Sequence, residues 1–389
     1  MRVGRIRLVV VAVVVLAGGA AFALIRSDDR RPSPAAAGAP AGLSVSTEGW
    51  ATDFSRHSVP LGEFSSGGPP RDGIPPIDEP RFTSASDARG VDREPVIAVE
   101  VGGSARAYPI RILIWHEIVN DTISGTPIAA TFCPLCNTSI VFDRRLGGRE
   151  LRFGTTGNLR LSDLVMWDSE TESWWQQFSG EAVVGELTGA RLERIPSRII
   201  SLGEFRRLHP QGEVLTERTG HDRPYGRNPY AGYDDIDSPP FLLRGRDLDG
   251  RLPPKERVVS IEQGPSLVAV PFSALEKARI VETAVGPTPV SVWWAPGVAS
   301  ALDSDVIADG RDVGSVVVHD RRVRGRVLTF SPEGSGARDD QTGSTWTRDG
   351  VARSGPLAGA RLRPVQHDTP FWFAVAAFRP TARIVPAGG

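Results

Sequence analysis

The chain has 389 residues, which is too long for one ordinary domain and suits two or three. Its 42 glycines and 32 prolines favour many turns and short strands over a helical bundle, and its two cysteines exclude a disulfide-dense scaffold. The formal net charge is −1, so the chain lacks the overall positive field that holds nucleic acid, and no nucleic-acid partner is expected.

The first predicted element is a membrane segment. Three arginines precede an uncharged run over residues 8–25, which at 18 residues reaches the lower limit for spanning a bilayer. We therefore predict a single-pass anchor within residues 1–25, with the body of the protein at the cell membrane and outside the cytoplasm. Ala21-Phe22-Ala23 leaves a cleaved signal peptide and a secreted protein as the alternative. Residues 26–70 begin with a stretch rich in Pro, Ala, Gly and Ser and are predicted to be a linker.

Residues 71–217 are predicted to form a first β-rich repeat. Alternating apolar and polar residues indicate strands, and Gly102-Gly103 is typical of a tight hairpin turn. Two short amphipathic stretches, residues 110–120 and 202–208, are predicted to be helical. The predicted strands cover residues 96–101, 105–109, 127–132, 138–143, 150–153, 164–167 and 173–178.

The most specific chemical motif is Cys133-Pro134-Leu135-Cys136, which follows an apolar strand. Two thiols at this spacing can form a small disulfide ring or bind one metal ion. Thioredoxin-like folds carry a similar motif at the start of a long helix, but residues 137–144 alternate like a strand, so a thioredoxin fold is not predicted. A structural disulfide or a pair of inert buried thiols is the alternative reading of this motif.

His116 and Glu117 precede Cys133 by 17 and 16 residues. A histidine and two thiolates suit a soft metal such as copper or zinc, with a fourth ligand still required, for which Glu117, Met166 and Asp163 are candidates. On a helix, His116 and Glu117 would point about 100° apart, which makes binding of one ion by both awkward. The alternative role for His116 is that of a helix histidine hydrogen-bonded to the backbone.

Residues 218–255 are rich in Pro, Gly and Asp and are predicted to connect the first repeat to a second one, residues 256–389. The repeat is visible in the sequence, because residues 96–104 resemble residues 258–266 at an offset of 162. Further along, residues 185–192 resemble residues 355–362 at an offset of 170, which places the two copies at about 94–217 and 256–384. Helices are predicted in the second copy over residues 272–278 and 371–378.

The predicted fold class is therefore mainly β with a few short helices, built as two tandem copies of one unit after the N-terminal segment. The second copy lacks every reactive group of the first: Cys133 aligns with Ala295, Cys136 with Val298, His116 with Ala278 and Glu117 with Arg279. A fold that needed the thiols or the imidazole for packing should need them in both copies. We therefore group Cys133, Cys136 and His116 as the candidate catalytic residues, add Glu117 as a candidate metal ligand, and predict that the second copy is degenerate and structural.

Asp163 and the run Trp174-Trp175-Gln176-Gln177 are weaker candidates. Trp175 has an approximate counterpart in Trp346, which assigns it to the core of the unit. The sequence contains no Gly-rich phosphate loop, no His-Glu-x-x-His zinc motif and no Gly-x-Ser-x-Gly nucleophile motif. The recognisable chemistry of this chain is thus confined to the neighbourhood of its two thiols.

Four segments carry a family resemblance. Ile74 to Phe82 (IPPIDEPRF), Ile114 to Asn120 (IWHEIVN), Thr131 to Thr138 (TFCPLCNT) and Asp163 to Met166 (DLVM) resemble the domain-of-unknown-function family 3179. The resemblance extends from about residue 70 to the C-terminus. It implies a prokaryotic protein with an N-terminal signal or anchor. It implies no established activity and assigns no catalytic roles.

Three hypotheses about function follow from these residues. In the first, Cys133 and Cys136 cycle between dithiol and disulfide, and His116 assists deprotonation of a thiol, with the redox partner left open. In the second, Cys133, Cys136 and His116 bind copper or zinc. In the third, the chain is a non-catalytic cell-surface binding or scaffold module whose cysteines form a structural disulfide. The sequence leaves open whether the protein is an enzyme.

Overall fold

The computed structural model describes residues 42–244 and 246–386. These residues form mainly β-strands with four α-helices, as the sequence predicts. The longest of the four helices has seven residues, and within the described residues none could span a bilayer. The predicted membrane segment, residues 1–25, lies outside the described residues and stays a prediction.

The first half of the chain contains sixteen strands and two α-helices in the described residues, preceded by a 3₁₀ turn over Leu61–Glu63. The helices are α1 (Ile110–Leu113) and α2 (Leu202–Leu208). The strands are β1 (Phe64–Ser66), β2 (Phe82–Ser84), β3 (Pro95–Val101), β4 (Ser104–Pro109), β5 (Ile118–Ile123), β6 (Thr126–Cys133), β7 (Thr138–Asp143), β8 (Arg145–Leu146), β9 (Arg149–Glu150), β10 (Phe153–Arg160), β11 (Asp163–Asp168), β12 (Trp174–Gln176), β13 (Glu181–Val184), β14 (Arg194–Ile195), β15 (Ser197–Ser201) and β16 (Glu213–Leu215).

Three sheets and one small hairpin organise these strands. One five-stranded sheet has the order β1-β10-β11-β12-β13, and the other has the order β15-β3-β4-β16-β2. A four-stranded sheet, β14-β7-β6-β5, carries the Cys-Pro-Leu-Cys motif in the turn between β6 and β7. Strands β8 and β9 form the separate hairpin. Strands β5, β6 and β7 of this sheet are almost wholly buried.

The second half contains thirteen strands and two α-helices in the described residues, with a 3₁₀ turn over Ile307–Asp309. The helices are α3 (Phe272–Ala278) and α4 (Trp372–Phe378). The strands are β17 (Val258–Gln263), β18 (Ser266–Pro271), β19 (Ile280–Val285), β20 (Thr288–Ala295), β21 (Ser315–Asp320), β22 (Arg322–Val323), β23 (Arg326–Val327), β24 (Phe330–Glu333), β25 (Gly336–Asp339), β26 (Thr345–Trp346), β27 (Ala352–Ser354), β28 (Arg363–Pro364) and β29 (Arg383–Ile384).

The sheets of the second half follow the pattern of the first. Their orders are β17-β18-β29, β19-β20-β21-β28 and β24-β25-β26-β27, with β22 and β23 as a small hairpin. Registers agree as well, since Val96 pairs with Pro109 across β3 and β4, and Val258 pairs with Pro271 across β17 and β18. Strands β3 and β17 thus each begin a hairpin in which a valine pairs with a proline.

Side-chain contacts repeat along with the strands. The indole of Trp175 donates to Asp168 at 2.8 Å, and the indole of Trp346 donates to Asp339 at 2.9 Å. In each half a threonine three residues after the aspartate donates to the same carboxylate. These two buried networks are identical in type. The two halves therefore share local geometry down to individual hydrogen bonds.

Two predictions about secondary structure need correction. The helix predicted over residues 110–120 ends at Leu113, and β5 begins at Ile118, because Ile118–Ile123 pairs along its whole length with β6. The predicted linker over residues 26–70 is wrong for residues 42–70. There Leu43, Phe54 and Phe64 are buried against Trp174 and its neighbours, and β1 pairs with β10. Composition alone did not reveal these scattered apolar anchors.

Candidate active site

The Cys-Pro-Leu-Cys segment forms the turn between β6 and β7. Cys133 ends β6 and pairs with Thr138 at the start of β7, so the turn joins two neighbouring strands. Asn137 closes it in a left-handed conformation, with φ of 55°. The second half of the chain holds this turn, because the Asn137 side chain donates to the Thr369 carbonyl at 2.7 Å and the Phe371 amide donates to the Cys136 carbonyl at 2.9 Å. Both cysteines are free thiols, and both are buried.

Asp163 is the residue that the structure brings to the thiols. Its Oδ1 atom lies 2.9 Å from the Sγ atom of Cys136. Its Oδ2 atom accepts hydrogen bonds from the Gln176 side chain at 2.5 Å and from the Phe178 amide at 2.9 Å. The ligand atoms of Cys133, Cys136 and Asp163 all lie within 4.8 Å of one another. Because the second oxygen is fixed by two donors, the first is held in place against the sulfur.

A chain of buried hydrogen bonds supports the other side of Cys136. The Sγ atom lies 3.0 Å from the Thr138 hydroxyl, which donates to Gln177 Oε1 at 2.7 Å. The Gln177 amide donates to the Thr131 hydroxyl at 2.9 Å, and that hydroxyl donates to the Ile140 carbonyl at 2.7 Å. Because Thr138 uses its own proton on Gln177, its oxygen is free to accept the thiol proton of Cys136. The sulfur therefore has two side-chain acceptors, Asp163 and Thr138, besides the more distant Cys133 carbonyl at 3.9 Å.

Burial determines the protonation states here. It raises the pKa of both thiols, and the negative charge of Asp163 raises each further. Burial also raises the pKa of Asp163 itself. The pKa of Glu117 rises to about 8, first through burial and then through the charge of Asp163. The thiols therefore resist ionisation unless an adjacent group takes the proton, and Asp163 is the group in contact.

His116 does not join the thiols. It is fully buried, its Nδ1 atom lies 2.7 Å from the Pro75 carbonyl, and its Nε2 atom lies 2.7 Å from the Tyr225 hydroxyl. Burial lowers its pKa to about 4, so the ring is neutral; Nδ1 donates to the carbonyl and Nε2 accepts from Tyr225. Both ring nitrogens are thus occupied, and His116 is outside the set of ligand atoms within 4.8 Å. Its contacts attach the segment around Tyr225 to the first half.

Glu117 is also outside that set. Its backbone is left-handed, with φ of 60°, and its carbonyl accepts from the amide of Phe132, the residue before Cys133, at 2.8 Å. Its negative charge contributes to the raised pKa of Cys133. The structure therefore brings Cys133 and Cys136 together with Asp163 and places Glu117 next to the pair, whereas His116 faces away toward Tyr225.

The segment over residues 218–255 packs against the site. Tyr230 and Tyr233 lie in the same buried cluster as both cysteines. Lys255 holds this segment, because its Nζ atom donates to the Tyr233 carbonyl at 2.5 Å and lies 3.6 Å from the centre of the Tyr233 ring. Residues 218–255, predicted only to connect two repeats, therefore also contribute to the buried cluster that contains the thiols.

The sequence marks Asp163 only as a weak candidate and gives no sign of the Thr138 hydroxyl that contacts Cys136. The position of Asp163 is marked by a difference in length between corresponding hairpins of the two halves. Phe153 pairs with Asp168 across β10 and β11, fifteen residues later, whereas Phe330 pairs with Asp339 across β24 and β25, nine residues later. The first half thus has a hairpin six residues longer than its counterpart, and Asp163 lies in that longer hairpin.

No curated protein and no solved structure shows significant similarity to this chain. One family model matches residues 71–382, which is most of the chain and includes the thiol turn, Asp163 and Glu117. This match agrees with the resemblance that the four sequence segments carry. The chain therefore belongs to the family described as protein of unknown function (DUF3179).

Proposed function

We propose that Cys133 and Cys136 form a redox centre that cycles between dithiol and disulfide. The observation that carries this proposal is the 2.9 Å contact between Cys136 Sγ and Asp163 Oδ1. A buried thiol with a raised pKa reacts only after losing its proton, and a carboxylate held against the sulfur is suited to take it. On oxidation the two sulfurs form one bond, and two electrons and two protons pass to the acceptor.

Burial restricts the acceptor to a small molecule. The Cys133 side chain is 1% exposed and Cys136 is fully buried. Exchange with a protein disulfide requires an attacking sulfur that the partner can approach in line, and neither sulfur is that accessible. A small two-electron acceptor needs far less space. This argument separates the proposed activity from that of oxidoreductases that exchange disulfides with other proteins.

Soft-metal binding, of copper or zinc, is the second candidate function. It is favoured by the three ligand atoms of Cys133, Cys136 and Asp163 within 4.8 Å and by the fixed second oxygen of Asp163. Zinc usually takes four ligands, and the described residues bring three to this distance. His116 would have to give up both of its hydrogen bonds to supply the fourth. We therefore rank the metal role below the redox role.

We also infer that the chain consists of two copies of one unit. Equivalent strands, registers and buried Asp–Trp hydrogen bonds support this inference. The second copy has Ala295 where the first has Cys133, and its residues Thr369 and Phe371 hold the thiol turn of the first. The second copy would then serve as a structural partner. In this proposal residues 8–25 anchor the protein with its body outside the cytoplasm.

The experiment equilibrates the full chain in dithiothreitol buffers of graded potential and counts the thiols by alkylation and mass spectrometry. We expect a two-thiol, two-electron transition, which Cys133→Ser and Cys136→Ser each abolish while the fold persists by circular dichroism. Elemental analysis of the same preparation tests the second candidate. The metal role would replace the redox role if the thiols never oxidise and the parent carries one equivalent of zinc or copper that both variants lack.

A further inference from the structure

A line of buried side chains leads from Asp163 to the N-terminal part of the fold. Asp163 Oδ2 accepts from the Gln176 amide at 2.5 Å, and Gln176 Oε1 accepts from Arg160 Nη1 at 3.1 Å. Arg160 Nη2 in turn lies 2.5 Å from Glu63 Oε2, which makes an ion pair. The side chains of Arg160 and Glu63 are 9% and 14% exposed, and Asp163 and Gln176 are buried. The carboxyl group that contacts Cys136 is thus connected to Glu63 through three successive contacts.

The chemistry of each side chain in this line fixes the orientation of the next. A guanidinium group only donates hydrogen bonds, a carboxylate only accepts them, and a carboxamide has one end of each kind. Because Arg160 only donates, Gln176 must turn its oxygen toward Arg160 and its NH₂ group toward Asp163. With the amide reversed, its oxygen would face the carboxylate and disfavour the charged form of Asp163. Arg160 therefore decides which end of Gln176 meets Asp163.

The register of the sheet brings these side chains together. Arg160 and Asp163 pair directly across β10 and β11, so their side chains share one face of the sheet. Gln176 pairs with Val165, which is two residues after Asp163 and on the same face. The turn between Arg160 and Asp163, Leu161-Ser162, is buried and left-handed at both residues, with φ of 54° and 63°. Turns of this kind favour Asn and Gly, so the fold keeps a strained turn at the point where Arg160 and Asp163 meet.

Within the described residues, the half without thiols lacks this line of contacts. Both halves have a tryptophan that donates to a buried aspartate, but Gln176 follows that tryptophan in the first half and Thr347 follows it in the second. The corresponding hairpin of the second half is six residues shorter, and its sheet has four strands. The sheet of Arg160 has a fifth strand, β1, which begins directly after Glu63. A network needed only to hold such a sheet together should occur in both halves, so the contacts of Arg160 are particular to the half that carries the thiols.

We propose that Arg160 is a positioning residue for the thiol chemistry, which orients the Gln176 amide so that the Asp163 carboxylate stays charged and ready to take the Cys136 proton. The proposal rests on the redox function proposed above and adds a residue to it. Burial raises the pKa of Asp163, and the hydrogen bonds that the carboxylate accepts, including the one from Gln176, oppose that rise. Arg160 acts through Gln176 and takes no part in the proton transfer itself.

The step affected is the removal of a thiol proton. The Cys136 proton passes to Asp163, the thiolate attacks one sulfur of a small cyclic disulfide such as oxidised dithiothreitol, and the S–S bond of that reagent breaks. The Cys133 thiol then displaces the reagent, which leaves as a dithiol with both protons and both electrons. The other titratable groups near Asp163 are the two thiols and Glu117, whose pKa values its negative charge raises. Only charged Asp163 can take the proton, so the rate should fall as the pH falls through its pKa, and loss of the Gln176 donor should move this fall to higher pH.

The test measures the initial rate of disulfide formation when the reduced full chain is transferred into oxidised dithiothreitol at a series of pH values. Arg160→Met cannot donate to Gln176, so we expect the acidic fall in rate to move up by about one pH unit, which slows oxidation about tenfold on the acidic side and leaves the alkaline side unchanged. Arg160→Lys keeps a donor beside Gln176 and should restore most of the parent profile. Arg144→Met is the matched control, because the Arg144 side chain is also 9% exposed and lies 2.9 Å from the carboxylate of Glu150. The control should keep the parent profile.

The outcomes separate this inference from the function on which it rests. If the thiols of the parent do not titrate in dithiothreitol buffers, the proposed redox function fails and this inference fails with it. If they titrate but Arg160→Met keeps the parent profile, or Arg144→Met shifts it equally, the redox centre stands and the role of Arg160 is wrong. Should Arg160→Met fail to fold, Gln176→Glu keeps a partner for Arg160 and presents an oxygen to Asp163, so it should shift the profile in the same direction. A parent-like profile for that variant would overturn the assignment.

Discussion

Asp163 Oδ1 and Cys136 Sγ lie 2.9 Å apart, although 27 residues and a change of sheet separate them. Cys136 belongs to the turn of the sheet β14-β7-β6-β5, and Asp163 begins β11 in the sheet β1-β10-β11-β12-β13. The extended β10–β11 hairpin carries the carboxylate from one sheet to the other. A thiol pair that would otherwise be buried among apolar residues thereby gains a proton acceptor.

Asp163→Asn tests that acceptor. Asparagine keeps the size of the side chain but cannot take a proton, so we expect oxidation of the thiols to slow about a hundredfold. Loss of the negative charge should at the same time lower the pKa of both thiols, since that charge raises it. Alkylation rates against pH measure the pKa. If Asp163 had only a structural role, the variant would not combine a lower thiol pKa with slower oxidation. The control variant Asp340→Asn, at an exposed position, should change neither the thiol pKa nor the oxidation rate.

His116→Ala tests whether the imidazole belongs to the chemistry. Its two nitrogens are bonded to Pro75 and Tyr225, so we expect the variant to lose about 2–4 kcal/mol of unfolding free energy in urea, from two buried hydrogen bonds and a cavity. Thiol oxidation below the unfolding range should remain near that of the parent. If the variant folds but its thiols no longer oxidise, His116 takes part in the chemistry and this prediction is wrong.

Stability should fall as the pH falls from about 6.5 to 4. Burial lowers the pKa of His116 and His319 to about 4, whereas the unfolded chain protonates each near 6.5. In that window the unfolded state binds more protons than the folded state, so acid favours unfolding, by on the order of 3 kcal/mol for each histidine. Urea unfolding of the parent and of His319→Gln between pH 4 and pH 7 measures the slope. An equal slope in both proteins would contradict the prediction.

Glu117→Gln should stabilise the protein at neutral pH. The pKa of Glu117 is raised to about 8 in the fold, so between pH 4.5 and pH 8 the folded state keeps a proton that the unfolded state releases. The parent therefore loses stability as the pH rises through this window, and the variant avoids a loss on the order of 3 kcal/mol near pH 7. Thermal unfolding of both proteins at pH 4 and pH 7.5 should show a gain only at the higher pH. Arg279→Gln should show no such pH-dependent gain.

Much of the local structure could be predicted from the sequence. The helices at 202–208 and 272–278 have the predicted bounds, and the thiol motif lies in a strand–turn–strand unit as predicted. These features depend on hydrophobic periodicity and turn residues within a few positions of one another. The helix prediction over residues 110–120 is wrong in its second half, because that half takes its conformation from pairing with the separate strand β6 and not from its near neighbours in the chain.

The sequence by itself determined that the chain is mainly β, that two thiols share one turn, and that their reactive neighbourhood has no counterpart at the offset of 162. Only the tertiary structure decided which polar groups meet those thiols. Asp163 arrives from another sheet, and His116 is diverted to Tyr225, 109 residues away. Periodicity and motif spacing report interactions between near neighbours in the chain, whereas a buried site is assembled by packing between distant segments, which no spacing encodes.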